Sequence, residues 1–551
     1  MKLSGFFKAS LITSALVLAG CGGGDINVTP TTNDNRVDNS TSNVTNNTGG
    51  DNSGNNGGGT TTPPTTAIEC ASYTMDGVEF KGKPDDANKN CVYSQAFASN
   101  AKDITASFLI PALPDGGAHI FEGELFIGAD VDTSKGGVID VNGPTLTIEA
   151  GVNIAFTKPE SFIRIARGAN IEAIGEIDKP IVFTSISDID GDDSTSAQIG
   201  DWGGIQINGM GQSIRCAKAD AEAGQCNHKA EGIVSYYGGN DAADDSGTLK
   251  HVVIKYAGYE VTPDNELNGL TLNAVGSGTE IEFIHVHNGA DDGVELFGGS
   301  VDIKHIVITE SVDDGIDWDE GWKGNGQFIL VHSKEHGNHG FETDGAKKAP
   351  SEDSELVTTV SYPTIANATV VTNGKVDAEA RKNTGAGMEM KEWGKAKLVN
   401  MLFVNSSTQS GAGCFDLFND KDQSNAAGVH ANAKAGDISF SNSIFACGLN
   451  FEEINTPLTG ELAGFDIEQW FLSGEMNKLI GFADFSNVLA EDGVTTKGTI
   501  TDKDGNAVAI ESAKLNADNA FFDDVAFIGA IGEGASNEWV EFVKASMARK
   551  N

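Results

Sequence analysis

Four times within residues 290–390 the chain sets glycine, an apolar residue and a carboxylate in a row. The four are Gly293-Val294-Glu295, Gly315-Ile316-Asp317, Gly340-Phe341-Glu342 and Gly387-Met388-Glu389. If each run is a strand stacked on the last, the acids Glu295, Asp317, Glu342 and Glu389 stand above one another, about 4.8 Å apart. The apolar residue then points into the core and the acid points out. Two carboxylates about 5 Å apart repel by about 3 kcal/mol at an effective dielectric of 20. Such a row calls for a cation or for raised pKa values, and Ca²⁺, which takes several oxygens in flexible geometry, fits it. The competing reading is a solvated acidic face with splayed side chains. A second acidic set, Asp291, Asp292, Asp313 and Asp314, precedes glycine in consecutive repeats. Asp before Gly is first of all turn chemistry, since Asp binds its own backbone and Gly takes positive φ.

Other residues offer weaker chemistry. The run Asp188-Ile-Asp-Gly-Asp-Asp193 is dense in carboxylates, so Asp188, Asp190 and Asp192 are candidate calcium ligands, although the downstream glutamate of a calcium loop is missing. His285, His287, His305, His332, His336 and His339 fall on adjacent repeats, where they could bind a transition metal. His251, Phe283 and His305 share one repeat position, which points to ring stacking instead. Trp318 and Trp322, near Tyr256 and Tyr259, would form a glycan platform if exposed and would cover the end of a turn if buried. The chain carries no GxSxG, phosphate loop, HExxH or dinucleotide-binding glycine pattern.

What must position these residues is a repeat. Glu280-Ile-Glu-Phe-Ile-His-Val286 aligns with Asp302-Ile-Lys-His-Ile-Val-Ile308 at an offset of 22 residues, which lays Asp291–Glu295 on Asp313–Asp317. Leu249-Lys-His-Val252 marks an earlier turn, and Ala412-Gly-Cys-Phe415 a later one. Strands recurring at this spacing, with many glycines, indicate a solenoid whose turns bury a continuous core only when stacked. The expected fold is all-β, a right-handed parallel β-helix over residues 126–450. A small N-terminal region (68–125) leads into it, and a mixed α/β C-terminal region (451–551) caps its last rung. Helices are expected near Phe465–Ile480 and Asn537–Ala548.

Gly200-Asp-Trp-Gly-Gly-Ile205, with Leu146–Gly151, Gly168–Gly175, the Asp-Asp-Gly turns and the closing Phe521-Phe-Asp-Asp-Val525, resembles a group of bacterial surface lipoproteins with a pectin-lyase-like β-helix. The resemblance implies fold and location rather than activity. Pectin-degrading glycoside hydrolases of this fold set Asp carboxylates and a His-Gly on successive turns. Asp292, Asp313, Asp314 and His339-Gly340 resemble that layout, which implies acid and base roles in sugar cleavage. Their basic substrate clamp has no counterpart in the sequence.

The N-terminus agrees with the lipoprotein resemblance. Lys2 and Lys8 precede an apolar stretch, Leu11–Leu18, too short to span a bilayer. Leu18-Ala-Gly-Cys21 resembles the lipobox, which implies removal of residues 1–20, lipidation of Cys21 and, with Gly22 following, sorting to the outer membrane. Residues 21–67 are rich in Gly, Asn and Thr and read as a disordered tether. The remaining cysteines form three local groups, Cys70 with Cys91, Cys216 with Cys226 and Cys414 with Cys447. Disulfides within each are expected outside the cytoplasm, with a free, buried 414 and 447 as the alternative. The net charge of −42 excludes nucleic acid as a partner and favours cations. The expected function is that of a cell-surface lipoprotein, possessing a structural or binding role in adhesion, matrix or surface-layer contact, with a surface glycan or another surface protein as partner and calcium as stabiliser. The alternative is a polysaccharide-degrading lyase or hydrolase.

Overall fold

The computed structural model describes residues 68–189, 196–233, 235–262, 265–346, 360–372, 386–417, 423–452 and 458–549. Cys21, the signal and tether segments, Asp190 and Asp192 lie outside them. The described residues are mostly strand and pair chiefly in parallel. One sheet runs from Asp103–Ile104 through Leu125–Ile127, Phe162–Ile165, Gly204–Asn208, Leu270–Asn273, Val294–Phe297, Ile316–Asp319, His339–Thr343 and Ala386–Met390 to Phe415–Leu417. The 22-residue offset is realised in the register, where Ile281 pairs with Ile303 and Glu295 with Asp317. A second, larger sheet holds the long strands Gly247–Lys255, Glu280–His287, Ile303–Thr309, Asn325–Ser333 and Thr364–Thr372. Alternate residues of both sheets, among them Ile284, Ile308, Val294, Ile316 and Phe341, meet in one core.

A column of left-handed residues bends the second sheet. His251, Phe283, His305, Phe328, Asn367, Asn400 and Asn442 occupy equivalent positions and all have φ between 50° and 59°. That conformation costs a non-glycine residue about 1–2 kcal/mol. Ring stacking offsets the cost, with centroids 4.5 Å apart for His251–Phe283, 4.3 Å for Phe283–His305 and 5.1 Å for His305–Phe328. Farther along the column asparagine takes over, which tolerates this region well. The side-chain amides of Asn367, Asn400 and Asn442 donate to the carbonyls of Phe527, Ala513 and Glu511. The column thereby ties the C-terminal segment to the sheet.

Several boundaries differ from the expectation. Parallel pairing begins at Asn90–Tyr93, well before residue 126, and continues past 450 to Lys478–Leu479. A helix, Gln423–Ala435, interrupts the strands. Near the last strands the short helix Ile467–Ser473 sets Phe471 against Phe445, 4.2 Å between rings. The expected terminal helix is Glu538–Arg549, but it does not cover the last rung. Its Trp539, Phe542 and Val543 pack on Phe283, Val307, Phe328 and Leu330, on the outer face of much earlier strands. Those outward apolar residues need cover, and the C-terminal segment supplies it.

Candidate functional site

The glycine of each repeat is explained by close stacking. A Cβ on Gly293 would meet the carbonyl oxygen of Gly315 at 2.6 Å, and one on Gly315 that of Gly340, also at 2.6 Å. The next residue enters the core, and the acid faces away from it. Register sets Glu295 beside Asp317, Asp317 beside Glu342, and Glu389 beside Asp416. Asp416 continues the column although the sequence reading missed it. The pairing of Met388 with Phe415 places Cys414, not Gly413, in the glycine column, so the motif is disguised there.

These acids are not a solvated face. Glu295 and Asp317 are each 8 % exposed, Asp292 6 % and Asp314 2 %. Residues 209–246, outside the repeat, arch over part of the column. Glu320 anchors this roof, accepting hydrogen bonds from Tyr237 Oη at 2.6 Å, Ser213 Oγ at 2.7 Å and Arg215 Nε at 2.9 Å. Beneath it is a cavity of about 340 Å³, with Arg215, Lys229 and Tyr237 on the roof side and Glu295, Asp317 and Asp344 among the floor residues.

The acids divide into two halves by charge balance. In one half, His339 Nδ1 lies 3.0 Å from Asp314 Oδ1 and 3.4 Å from Glu342 Oε1, while Lys391 Nζ lies 2.7 Å from Glu342 Oε2. Burial pushes Glu342 up, but His339 and Lys391 more than offset it and hold its carboxyl down to about 2. Burial lowers His339 and Lys391, yet the surrounding acids raise both overall and keep them protonated. Asp314 is pushed up to about 7 by burial and by Glu342 and Asp313. In the other half, burial and then neighbouring carboxylates raise Asp292, Glu295 and Asp317 well above the usual range.

Oxygens of Asp292, Glu295 and Asp317 approach within 4.8 Å of one another, as do those of Asp291, Asp292 and Asp313. Asp314, His339 and Glu342 form a third group of the same tightness. Asn268 donates to Glu295, and Asp292 Oδ1 accepts from the Asp314 amide at 2.9 Å. Asp317 Oδ1 is buried without a hydrogen-bond partner. The first group, made of oxygen donors alone, suits a hard cation such as calcium. Glu342 and Glu389 are matched instead by His339 and Lys391, so the part of the expected row that is not matched by those cations is Glu295 and Asp317, with Asp292 beside them.

Other expected sites resolve differently. Asp188 is matched by a cation: Lys255 Nζ contacts both its carboxylate oxygens, at 2.6 and 2.8 Å, and Thr184 Oγ1 donates to it at 2.9 Å. The ammonium already supplies the positive charge that calcium would bring. Trp318 and Trp322 are fully buried and form no exposed glycan platform. The repeated geometry of a ring stack accounts for His251 and His305, while His285 and His287 both contact Thr309 Oγ1, at 2.9 and 2.8 Å. Of the six histidines expected as metal ligands, His339 joins the acids. Asp292, Asp313, Asp314 and His339 do come together on consecutive strands and turns, as the hydrolase layout implies, but Asp314 is enclosed rather than open to a polymer. Lys391 and Arg215 are the basic residues that the sequence reading did not find. Lys391 was legible, two residues after Glu389 and so on the same face; Arg215 arrives from the roof.

The three expected disulfides are present: Cys70–Cys91, Cys216–Cys226 and Cys414–Cys447, with Cα separations of 5.5, 5.4 and 5.9 Å. The Cys216–Cys226 bridge lies within the roof. No curated protein and no solved structure matches the chain. The family model described as a pectate-lyase-like beta helix domain matches residues 128–479, well over half the chain, and spans both the acidic column and its roof. The chain therefore belongs to the pectate-lyase-like beta-helix domain family.

Proposed function

We propose that this protein is a cell-surface lipoprotein, held in the outer membrane by a lipid on Cys21, that uses its β-helix as a structural or binding scaffold. Its parallel stack is a right-handed solenoid, the hand that parallel crossovers take in about 98 % of cases. Sequence on either side shields its end strands, which would otherwise invite edge-to-edge association. The disulfides suit an oxidising compartment outside the cytoplasm. The partner is a surface glycan or another surface protein, in adhesion, matrix or surface-layer contact.

The observation that carries a binding role is the partnerless, buried Asp317 oxygen within a tight group of carboxylates. Uncompensated buried acids are costly, and a bound cation removes the cost. We take calcium as that cation, held by Asp292, Glu295 and Asp317. The competing reading, a polysaccharide-degrading lyase or hydrolase, is favoured by the 3.0 Å Asp314–His339 contact. Against it, Asp314 is enclosed, at 2 % exposure, where sugar cleavage needs carboxylates that flank the substrate.

Melting curves in calcium and in excess EDTA, followed by a glycan array in both, test this reading. Calcium at 100 Kd should add about 2.7 kcal/mol of stability, and Asp292→Asn should remove the gain. Polygalacturonate, pectin and alginate should show no turnover with calcium present. An unchanged melt in EDTA would remove calcium, and turnover lost in Asp314→Asn with folding intact would make the protein an enzyme.

A further inference from the structure

The cavity under the 209–246 roof is much larger than an ion. It measures about 340 Å³, against about 30 Å³ for one water in the liquid, and falls in the range of small-molecule sites. Six carboxylates line it, against the cations Arg215 and Lys229. An anionic ligand such as a uronate would meet net repulsion there. The acids also stand in order: Glu295 pairs with Asp317 on the adjacent strand, and Asp319 follows Asp317 two residues on. Carboxylates therefore recur at the strand spacing, about 4.8 Å. Phe297 and Tyr237 add ring surface to the same walls.

Two of the residues that line the cavity each carry a buried oxygen with no hydrogen-bond partner. One is Asp317 Oδ1; the other is Asn273 Oδ1, on a residue with no exposure whose own amide donates to Asn208. A ligand that donates several hydrogen bonds, carries positive charge and presents hydrocarbon to the rings satisfies all of these features. An ammonium group donates three, and a four-carbon methylene spacer sets successive ammonium groups at the separation of alternate residues along one strand, roughly 6.6 Å.

We infer that the roofed cavity binds a linear aliphatic polyamine, with one ammonium group on Asp317, the next toward Asp319 and Asp344, and the methylene chain against Phe297 and Tyr237. The inference rests on the binding role proposed above and names the ligand class of that site.

Titration calorimetry of the full chain with spermidine tests it, with putrescine, glucosamine and calcium chloride run in parallel at matched ionic strength. Spermidine should bind one per chain. Asp317→Asn should weaken it at least tenfold, whereas Asp86→Asn, an equal loss of charge at an exposed site, should leave it unchanged. Lys229→Glu, at the exposed edge of the cavity, should tighten binding severalfold, a gain that structural damage would not produce. Absence of saturable spermidine binding overturns the inference, as does equal weakening by Asp86→Asn. Stabilisation by calcium alone overturns it while leaving the cation-binding role; spermidine binding without any calcium effect upholds it and removes calcium.

Discussion

A carboxyl group whose folded pKa lies above its unfolded value favours the folded state most when protonated. Asp314 at about 7, Asp416 at about 8, and Asp244 and Asp344 at about 6 are all of this kind, burial being the first cause in each. Their contribution is present below about pH 4, the unfolded value, and is lost as pH rises through 6 to 8. His339, raised by its acids, adds stability below its unfolded value of about 6.5 that also fades as pH rises through the folded one. Glu282 and Glu342, held near 2, act oppositely and lose their contribution only as pH falls toward 2. Stability in EDTA should therefore peak at about pH 4 to 5 and decline as pH rises toward 8.5. Asp314→Asn should flatten part of that decline between about pH 4 and 7 and recover on the order of 2 kcal/mol at pH 8. Urea denaturation at half-unit pH steps measures this, and a wild-type profile that rises from pH 6 to 8.5 would refute it. The positions of Glu295, Asp317, Glu342 and Glu389 were legible in the sequence because the repeat sets them one above another. Their burial was not, because the roof that covers part of them lies outside the repeat and leaves no periodic signal.

At the scale of elements, periodicity marked what repeats and was silent about what packs on it. The stack of His251, Phe283 and His305 followed from alignment alone. Its continuation through Phe328 into asparagines did not, since ring and amide share a backbone conformation rather than a side-chain type. The terminal helix was legible from its apolar spacing, but its destination was not. Val307 and Leu330 alternate outward from the core, and in a half-buried strand such positions would be polar. Their apolar character was the available sign that something covers this face. Trp539 is central to the cover, its indole donating to the Ala530 carbonyl at 2.9 Å while its ring lies 5.2 Å from His305. Trp539→Ala should cost about 3–5 kcal/mol. Hydrogen exchange locates the loss: protection should fall in Glu280–His287 and Ile303–Thr309 and persist in Ile438–Ser441. Uniform loss across all of these strands would instead mean that the helix stabilises the whole stack and not one face of it.

The whole molecule must reconcile a strongly acidic surface with the membrane location proposed for it. A formal charge of −42 repels anionic headgroups, and no helix among the described residues is long and apolar enough to cross a bilayer. Electrostatics therefore works against attachment, and in the reading proposed above acyl chains on Cys21 supply the membrane affinity, at about 0.8 kcal/mol per buried methylene. Attachment of this kind has a distinctive salt response. Screening weakens repulsion between the acidic surface and the headgroups, so high salt should not release the wild-type protein. Cys21→Ser removes the acylated thiol and leaves every described residue unchanged, so it should move the protein from the membrane pellet to the soluble fraction with its melting curve intact. Fractionation before and after a high-salt wash, with the melt run on the released material, separates the possibilities. Cys21→Ser protein that still sediments after the wash would require a protein partner in the membrane and would end the lipid-anchor reading. Released protein with an unaltered melt would place all the affinity in the lipid and leave the acidic cavity free for soluble ligands.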